Sequence, residues 1–212
     1  MKKLKSLYFA LTLLCGFVVW TLLITCVDVR CVGPEGSRVG FAALNLAFHR
    51  LTGVNMTLYT LTDWLGLVPF AVAFGFAILG LCQCIKRKSV FKVDRGLIIL
   101  GGYYVLVIAL YLFFEKVVIN YRPVLIDGRP EASYPSSTTL LTATVMPTAA
   151  IWFNNRIKNT AARRSLCTLI YVFTAFMVIA RLISGVHWLS DIFGGILVCS
   201  GLVFLYSFFD KK

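Results

Sequence analysis

Residues 181–191 read RLISGVHWLSD and bring an arginine, a histidine and an aspartate close together in a chain whose charged residues make up only 14%. On a helix, His187 and Asp191 stand four residues apart and share one face, with about 5–6 Å between their Cβ atoms. Asp191 is then placed to accept a hydrogen bond from one ring nitrogen of His187, which fixes the tautomer and leaves the other nitrogen as a nucleophile. Arg181 precedes the Ser184–Gly185 turn, a connection short enough to swing its guanidinium to the same spot. A blander reading makes all three residues anchors at a membrane surface, with Trp188 in an aromatic belt. Three such residues together favour chemistry.

Two further clusters carry charge or hydroxyls. EKVVINYRP, residues 115–123, supplies Lys116 and Arg122, and SYPSSTT, residues 133–139, supplies Ser136, Ser137 and Thr138 at the start of a helix. The first turn of a helix has unsatisfied N–H groups and the positive end of the dipole, so it suits an anion. Ser136 and Ser137 also read simply as caps. Lys116, Arg122, Arg181 and that helix start together fit a phosphate group whose charge is neutralised while a histidine attacks phosphorus. His49 and His187 are the only histidines, which excludes a multi-histidine metal centre; neither a metal nor a cofactor is expected.

The elements that must position these residues are apolar helices. The 212 residues are 59% hydrophobic with a mean hydropathy of +0.84, beyond the roughly 45–50% of a soluble domain. Six apolar runs approach or exceed the roughly 18 residues that cross a bilayer. They cover about 7–27, 61–85, 97–120, 137–153, 166–183 and 187–209, and the fourth, the shortest, contains Pro147. The expected fold is therefore all-α and polytopic, one membrane domain over 1–212. The mixed polarity of FAALNLAFHRLTGVNMTLYTLTDWLG adds a helix lying along the interface in the first outer loop, and the prolines and Gly128 of residues 120–139 make the second outer connection a turn-rich loop.

Charge sets the expected orientation. With a cytoplasmic amino terminus, the inner segments and both termini hold 14 of the 21 lysines and arginines against two acids, Asp94 and Asp210. The outer segments balance seven cations with seven acids, so the whole net charge of +12 lies inside. This distribution argues for a topology signal and against nucleic-acid binding. The basic start MKKLKSLYFALTLLCG reads as an uncleaved first span, because the apolar run is long and no A-x-A-like site follows. Cys26 and Cys31 are the one pair placed for a disulfide, and the sequence carries no signal for an oligomeric state.

These residues resemble the phosphatidic acid phosphatase type 2 / haloperoxidase superfamily. Arg181, His187 and Asp191 in the context GVHWLSDIFGG look like its third signature, Arg122-Pro123 like the end of its first, and PSST at 135–138 sits where its second, PSGH, belongs. The resemblance implies a phosphatase-like core over about 61–209 with His187 as a nucleophile that forms a phosphohistidine and Asp191 as its orienter. It further implies that Arg181, Arg122 and a lysine bind phosphate with Ser136 and the backbone of 136–138. Two departures accompany it. The family's lysine position, seven before the arginine, holds Glu115, and Lys116 is one position late, a turn of about 100° on a helix; Lys116 also reads as a snorkelling anchor. The histidine that protonates the leaving group is replaced by Thr138, whose hydroxyl is far too weak an acid for that task.

Three readings of the second departure follow. The substrate is a diphosphate such as a polyprenyl diphosphate, whose leaving phosphate needs little protonation; or Glu131 or His49, each otherwise a solvated loop residue, serves as the acid; or phosphate is bound with little turnover. The expected function is a lipid phosphatase or diphosphatase, acting on phosphatidic acid, phosphatidylglycerol phosphate or a polyprenyl diphosphate at the outer face of the cytoplasmic membrane. The alternatives are a lipid-phosphate-binding membrane protein on the same scaffold and, less in keeping with spans almost devoid of ionisable residues, a small transporter.

Overall fold

The computed structural model describes residues 2–210. Eight α-helices carry them: α1 Lys2–Cys26, α2 Ala42–Thr52, α3 Met56–Leu65, α4 Leu67–Arg87, α5 Arg95–Lys116, α6 Ser137–Asn154, α7 Thr160–Ile183 and α8 Leu189–Asp210. A small ribbon pairs β1 Arg30–Cys31 antiparallel with β2 Arg38–Val39. Helix starts follow local chemistry. Asn55, Asp94, Ser136 and Asn159 each accept a backbone N–H from the first turn of α3, α5, α6 and α7, relieving donors that have no partner inside the helix.

Among the described residues, five stretches are long and apolar enough to cross a membrane: Leu4–Cys26, Met56–Arg87, Arg95–Lys116, Thr160–Ile183 and Leu189–Asp210. The second reaches further back than the expected start at 61, because α3 runs almost directly into α4 across Gly66, whose N–H still bonds the Thr62 carbonyl at 2.9 Å. The expected fourth run corresponds to α6, which is less apolar and lies innermost, burying nine residues including Thr139, Thr142, Thr144 and Thr148. Thr144 and Thr148 return their hydroxyls to the carbonyls of Leu140 and Thr144, at 2.6 and 2.8 Å, so they enter the core without unsatisfied donors. The outward faces of the other long helices expose large apolar side chains such as Phe74, Val105, Leu169 and Val172, the surface a hydrocarbon solvent requires.

α1 and α8 pack antiparallel. Ser6 donates to the Phe204 carbonyl at 2.8 Å and Trp20 to the Ser190 carbonyl at 3.1 Å, and a side chain at Gly201 would collide with Leu14. Both ends of the described chain therefore lie at one end of the bundle, with the α4–α5 and α6–α7 connections. There Arg156 pairs with Asp94 at 2.9 Å and Asn155 donates to Asp210 at 2.7 Å. Segments 27–66, 117–136 and 184–188 gather at the opposite end. All seven cysteines, Cys26 and Cys31 among them, are thiols.

The segment 117–136 folds back on itself. Asp127 and Gly128 both have positive φ, 49° and 73°, as a two-residue hairpin turn of the I′ kind demands. The legs meet at Ile126 with Arg129 and again at Tyr121 with Ala132. This hairpin sets Asn120, Arg122, Glu131 and Ser133 side by side.

Candidate active site

His187 stands in the connection between α7 and α8, two residues ahead of the first turn of α8, and not on the helix as the four-residue spacing suggested. The reason lies in Asp191. Its carboxylate reaches back to accept the backbone N–H of Trp188 at 3.0 Å, a capping interaction that starts α8 immediately after Trp188. Asn45 of α2 accepts the Ser190 N–H at 3.1 Å and donates to the Ser190 hydroxyl at 2.9 Å, so α2 helps cap α8 from outside. Gly185 makes the connection tight: with φ +69° and the Gly53 carbonyl 1.8 Å from where a Cβ would sit, no side chain fits there.

The expected contact from Asp191 to His187 takes a different route. The Nδ1 of His187 meets Ser133, 3.0 Å from its Oγ and 3.2 Å from its carbonyl oxygen, and the Ser133 hydroxyl donates to Asp191 at 2.5 Å. Asn120 donates to the other carboxylate oxygen at 2.9 Å. Asp191 is wholly buried and His187 is 3% exposed. The Nε2 of His187 is buried with no hydrogen-bond partner. Burial, then the positive charges of Arg122 and Arg181, hold the imidazole well below its ordinary pKa, against a smaller opposing effect of the Ser133 backbone.

Two arginines lie near enough to the ring for their charges to act on it. Arg181, 1% exposed, donates through Nη1 to the Thr62 hydroxyl at 3.1 Å and the Tyr59 carbonyl at 3.3 Å, and its Nη2 lies 3.5 Å from Asp63. Arg122 pairs with Glu131 at 3.1 Å. Both guanidinium groups face the ring of Tyr59, at 4.5 and 5.7 Å from its centroid, so one aromatic ring on α3 supports two cations. Arg122 Nε and Nη1 and Arg181 Nε are buried without partners. Four orphaned polar atoms on three residues are costly unless a ligand satisfies them.

The start of α6 adds Ser136, whose wholly buried hydroxyl accepts the Thr139 N–H at 3.5 Å, with Ser137 and Thr138 following in the first turn. The methyl group of Thr138 faces Gly66 at the α3–α4 junction. Lys116 is exposed at the end of α5, and Glu115, also exposed, lines a small cavity beside Ser137, Pro135 and Tyr134. Of the two substitute acids, Glu131 touches the cluster through Arg122, whereas His49 packs its ring on Trp188, 5.6 Å between centroids, with burial lowering its pKa. His187, Asp191, Arg181, Arg122 and Glu131 thus come together around the hairpin, and His49 stands behind Trp188. Ser133, Asn120, Tyr59, Thr62 and Asp63 complete the cluster without having been anticipated.

Long apolar helices grouped around an unpartnered histidine nitrogen and two guanidinium groups define a polytopic membrane protein with a buried electropositive cluster. The PAP2 superfamily matches residues 71–212, and the chain belongs to that superfamily. A transmembrane PAP2-type phosphatidylglycerolphosphate phosphatase from Bacillus subtilis shares the fold, with a TM-score of 0.63 over 97% of each chain at 18% identity. No curated protein sequence matches. Arg122, residues 135–138 and residues 181–191 lie within the matched segment; Tyr59, Thr62 and Asp63, which hold the arginines, precede it.

Proposed function

We propose that this chain is an integral membrane phosphatase acting on a phosphorylated lipid through a phosphohistidine intermediate. The observation that carries the reading is the set of orphaned buried atoms, His187 Nε2 together with nitrogens of Arg122 and Arg181, two arginines whose charges act on the His187 ring. The lone pair of Nε2 forms a bond to phosphorus, and the bond from phosphorus to the leaving oxygen breaks with its electron pair going to that oxygen. Arg122, Arg181 and the backbone and hydroxyls of Ser136, Ser137 and Thr138 hold the phosphoryl oxygens as charge builds on them, with Lys116 contributing at longer range. Water then attacks phosphorus, the P–N bond breaks with its electron pair returning to Nε2 of the neutral ring, and the proton lost by the water passes to solvent or to Glu131.

The leaving oxygen takes its proton from water or from Glu131 if the leaving group is an alcohol, and needs little help if it is a phosphate. α6 supplies the sixth span, and the end of the bundle rich in lysine and arginine faces the cytoplasm. That puts both termini inside and the site at the outer leaflet, where phosphatidic acid, phosphatidylglycerol phosphate or a polyprenyl diphosphate presents its phosphate. Thr138, which lacks the acidity of a histidine, favours a second reading, a lipid-phosphate-binding protein of low turnover.

Phosphate release from vesicles carrying each of those three lipids, with orthovanadate as a phosphate mimic, separates the two readings. Turnover of at least one lipid, inhibited by vanadate, is expected; saturable lipid binding without release supports the binding protein.

The pH dependence follows from the same site. Because the imidazole of the folded protein is held well below 6.5, His187 stays neutral and nucleophilic as pH falls through the ordinary histidine range. The profile of kcat/KM is expected to show no acid limb near pH 6.5. The same depression lowers stability in acid, since the unfolded chain takes up a proton at His187 near pH 6.5 while the folded chain does not. An acid limb at 6.5 that persists in His49→Gln and does not follow the ionisation of the substrate's own phosphate contradicts the assignment.

A further inference from the structure

We propose that Ser133 is the positioning residue through which Asp191 holds His187 in its attacking tautomer. The inference rests on reading His187 as the nucleophile, and deepens it.

The argument is a count of donors and acceptors. Asp191 accepts from Asn120 at 2.9 Å and Ser190 at 3.4 Å on one oxygen, and from Ser133 at 2.5 Å and the Trp188 N–H at 3.0 Å on the other. An ionised carboxylate has about four lone-pair sites, so all are taken and none faces His187. The carboxylate can only accept, so the single hydroxyl proton of Ser133 goes to Asp191. What the Ser133 Oγ then presents to His187 Nδ1, 3.0 Å away, is a lone pair. The Ser133 carbonyl, 3.2 Å from the same nitrogen, is likewise an acceptor. Two acceptors converging on Nδ1 require an N–H there, and a neutral ring with its proton on Nδ1 carries its lone pair on Nε2, the buried atom without a partner.

One residue thus fixes the tautomer with its side chain and its backbone together. Histidine in water prefers the opposite tautomer, with the proton on Nε2, so without Ser133 the nucleophilic nitrogen would be blocked much of the time. The bridge also serves the intermediate. When Nε2 bonds to phosphorus, Nδ1 keeps its proton and the ring becomes cationic; the hydroxyl dipole of Ser133, aligned by Asp191, points its oxygen at that charge. The hairpin makes this geometry available, because the Ser133 N–H bonds the Asn120 carbonyl at 2.9 Å and so docks two of the four Asp191 donors, Asn120 and Ser133, as one unit.

The chain has two histidines, which makes the ring tautomers directly observable by nitrogen NMR of isotopically labelled histidine, with His49→Gln assigning the signals. In the native protein His187 is expected as the Nδ1–H form. In Ser133→Ala the Nε2–H form is expected to gain population, with kcat falling about 10- to 100-fold at little change in KM, the scale of losing an orienting partner; the backbone carbonyl keeps the loss from being larger. Ser133→Thr retains the hydroxyl and is expected to restore tautomer and rate. An Nε2–H tautomer in the native protein overturns the proposal, as does a Ser133→Ala protein with native tautomer and rate. The tautomer is read without turnover, so a chain that releases no phosphate sinks the phosphatase reading and still leaves this inference decided by the spectrum.

Discussion

Replacing His187 by alanine is expected to abolish phosphate release, lowering kcat by about 10⁴-fold or more, as removal of a covalent nucleophile does. The variant should still bind the phosphorylated lipid and orthovanadate-sensitive sites should survive in it, because Arg122, Arg181 and the start of α6 are untouched. The fold should survive as well. Asp191 keeps its four donors, and the carbonyl and hydroxyl of Ser133 lose one shared donor only. Loss of the buried imidazole leaves a small cavity but removes a group that the site keeps uncharged at some cost. Steady-state release alongside equilibrium lipid binding checks the expectation; retained turnover in His187→Ala rules out covalent catalysis at this position.

The second large effect is expected at Arg181. Arg181→Lys preserves the charge yet should lower kcat/KM by about 10²- to 10³-fold, the scale of removing a preorganised donor from a developing charge. Arginine serves two masters here: Nη1 is committed to Thr62 and Tyr59 and Nη2 approaches Asp63, while Nε remains unpartnered. A lysine has one point charge and no fixed fork, so it can satisfy α3 or the phosphate but cannot span both. The loss should appear together with weaker inhibition by orthovanadate, since the mimic uses the same donors. Unchanged kcat/KM in Arg181→Lys would place the phosphate elsewhere.

Much of this arrangement was legible in the sequence. Apolar runs that approach or exceed a bilayer crossing located the six long helices, and the spacing of Arg181, His187 and Asp191 singled out residues that the structure brings together, because the facing ends of two helices joined by a short connection stay near one another whatever the rest does. The start of α8 misled for a physical reason: Asp191 accepts the Trp188 N–H and caps the helix there, so it starts late and His187 lies off it. The link through Ser133 was not legible because it depends on the register of the 117–136 hairpin. The Asp127–Gly128 pair signals a turn, but continuing the register of Ile126 with Arg129 would set Arg122 opposite Ser133, whereas the ladder slips and pairs Tyr121 with Ala132. Pro123 and Pro130 lie between the two contacts and lack the N–H groups that would have carried the first register onward.

Tyr59, Thr62 and Asp63 were hidden differently. They are three polar residues in an apolar stretch of 32 residues, Met56–Arg87, and only the packing of α3 against α7 shows that they face Arg181. The slip at Lys116 was visible as a spacing, and its consequence is borne by Glu115, which stands beside Ser137 where a cation was expected.

Trapping the intermediate tests the central claim most directly. Native protein mixed with a phosphorus-labelled lipid substrate and quenched with base within a turnover should carry label as an acid-labile, base-stable phosphoryl group. Peptide mass spectrometry should place it on His187. Label on another residue, or rapid turnover with no phosphoenzyme at any quench time and undiminished release by His187→Ala, would contradict the account.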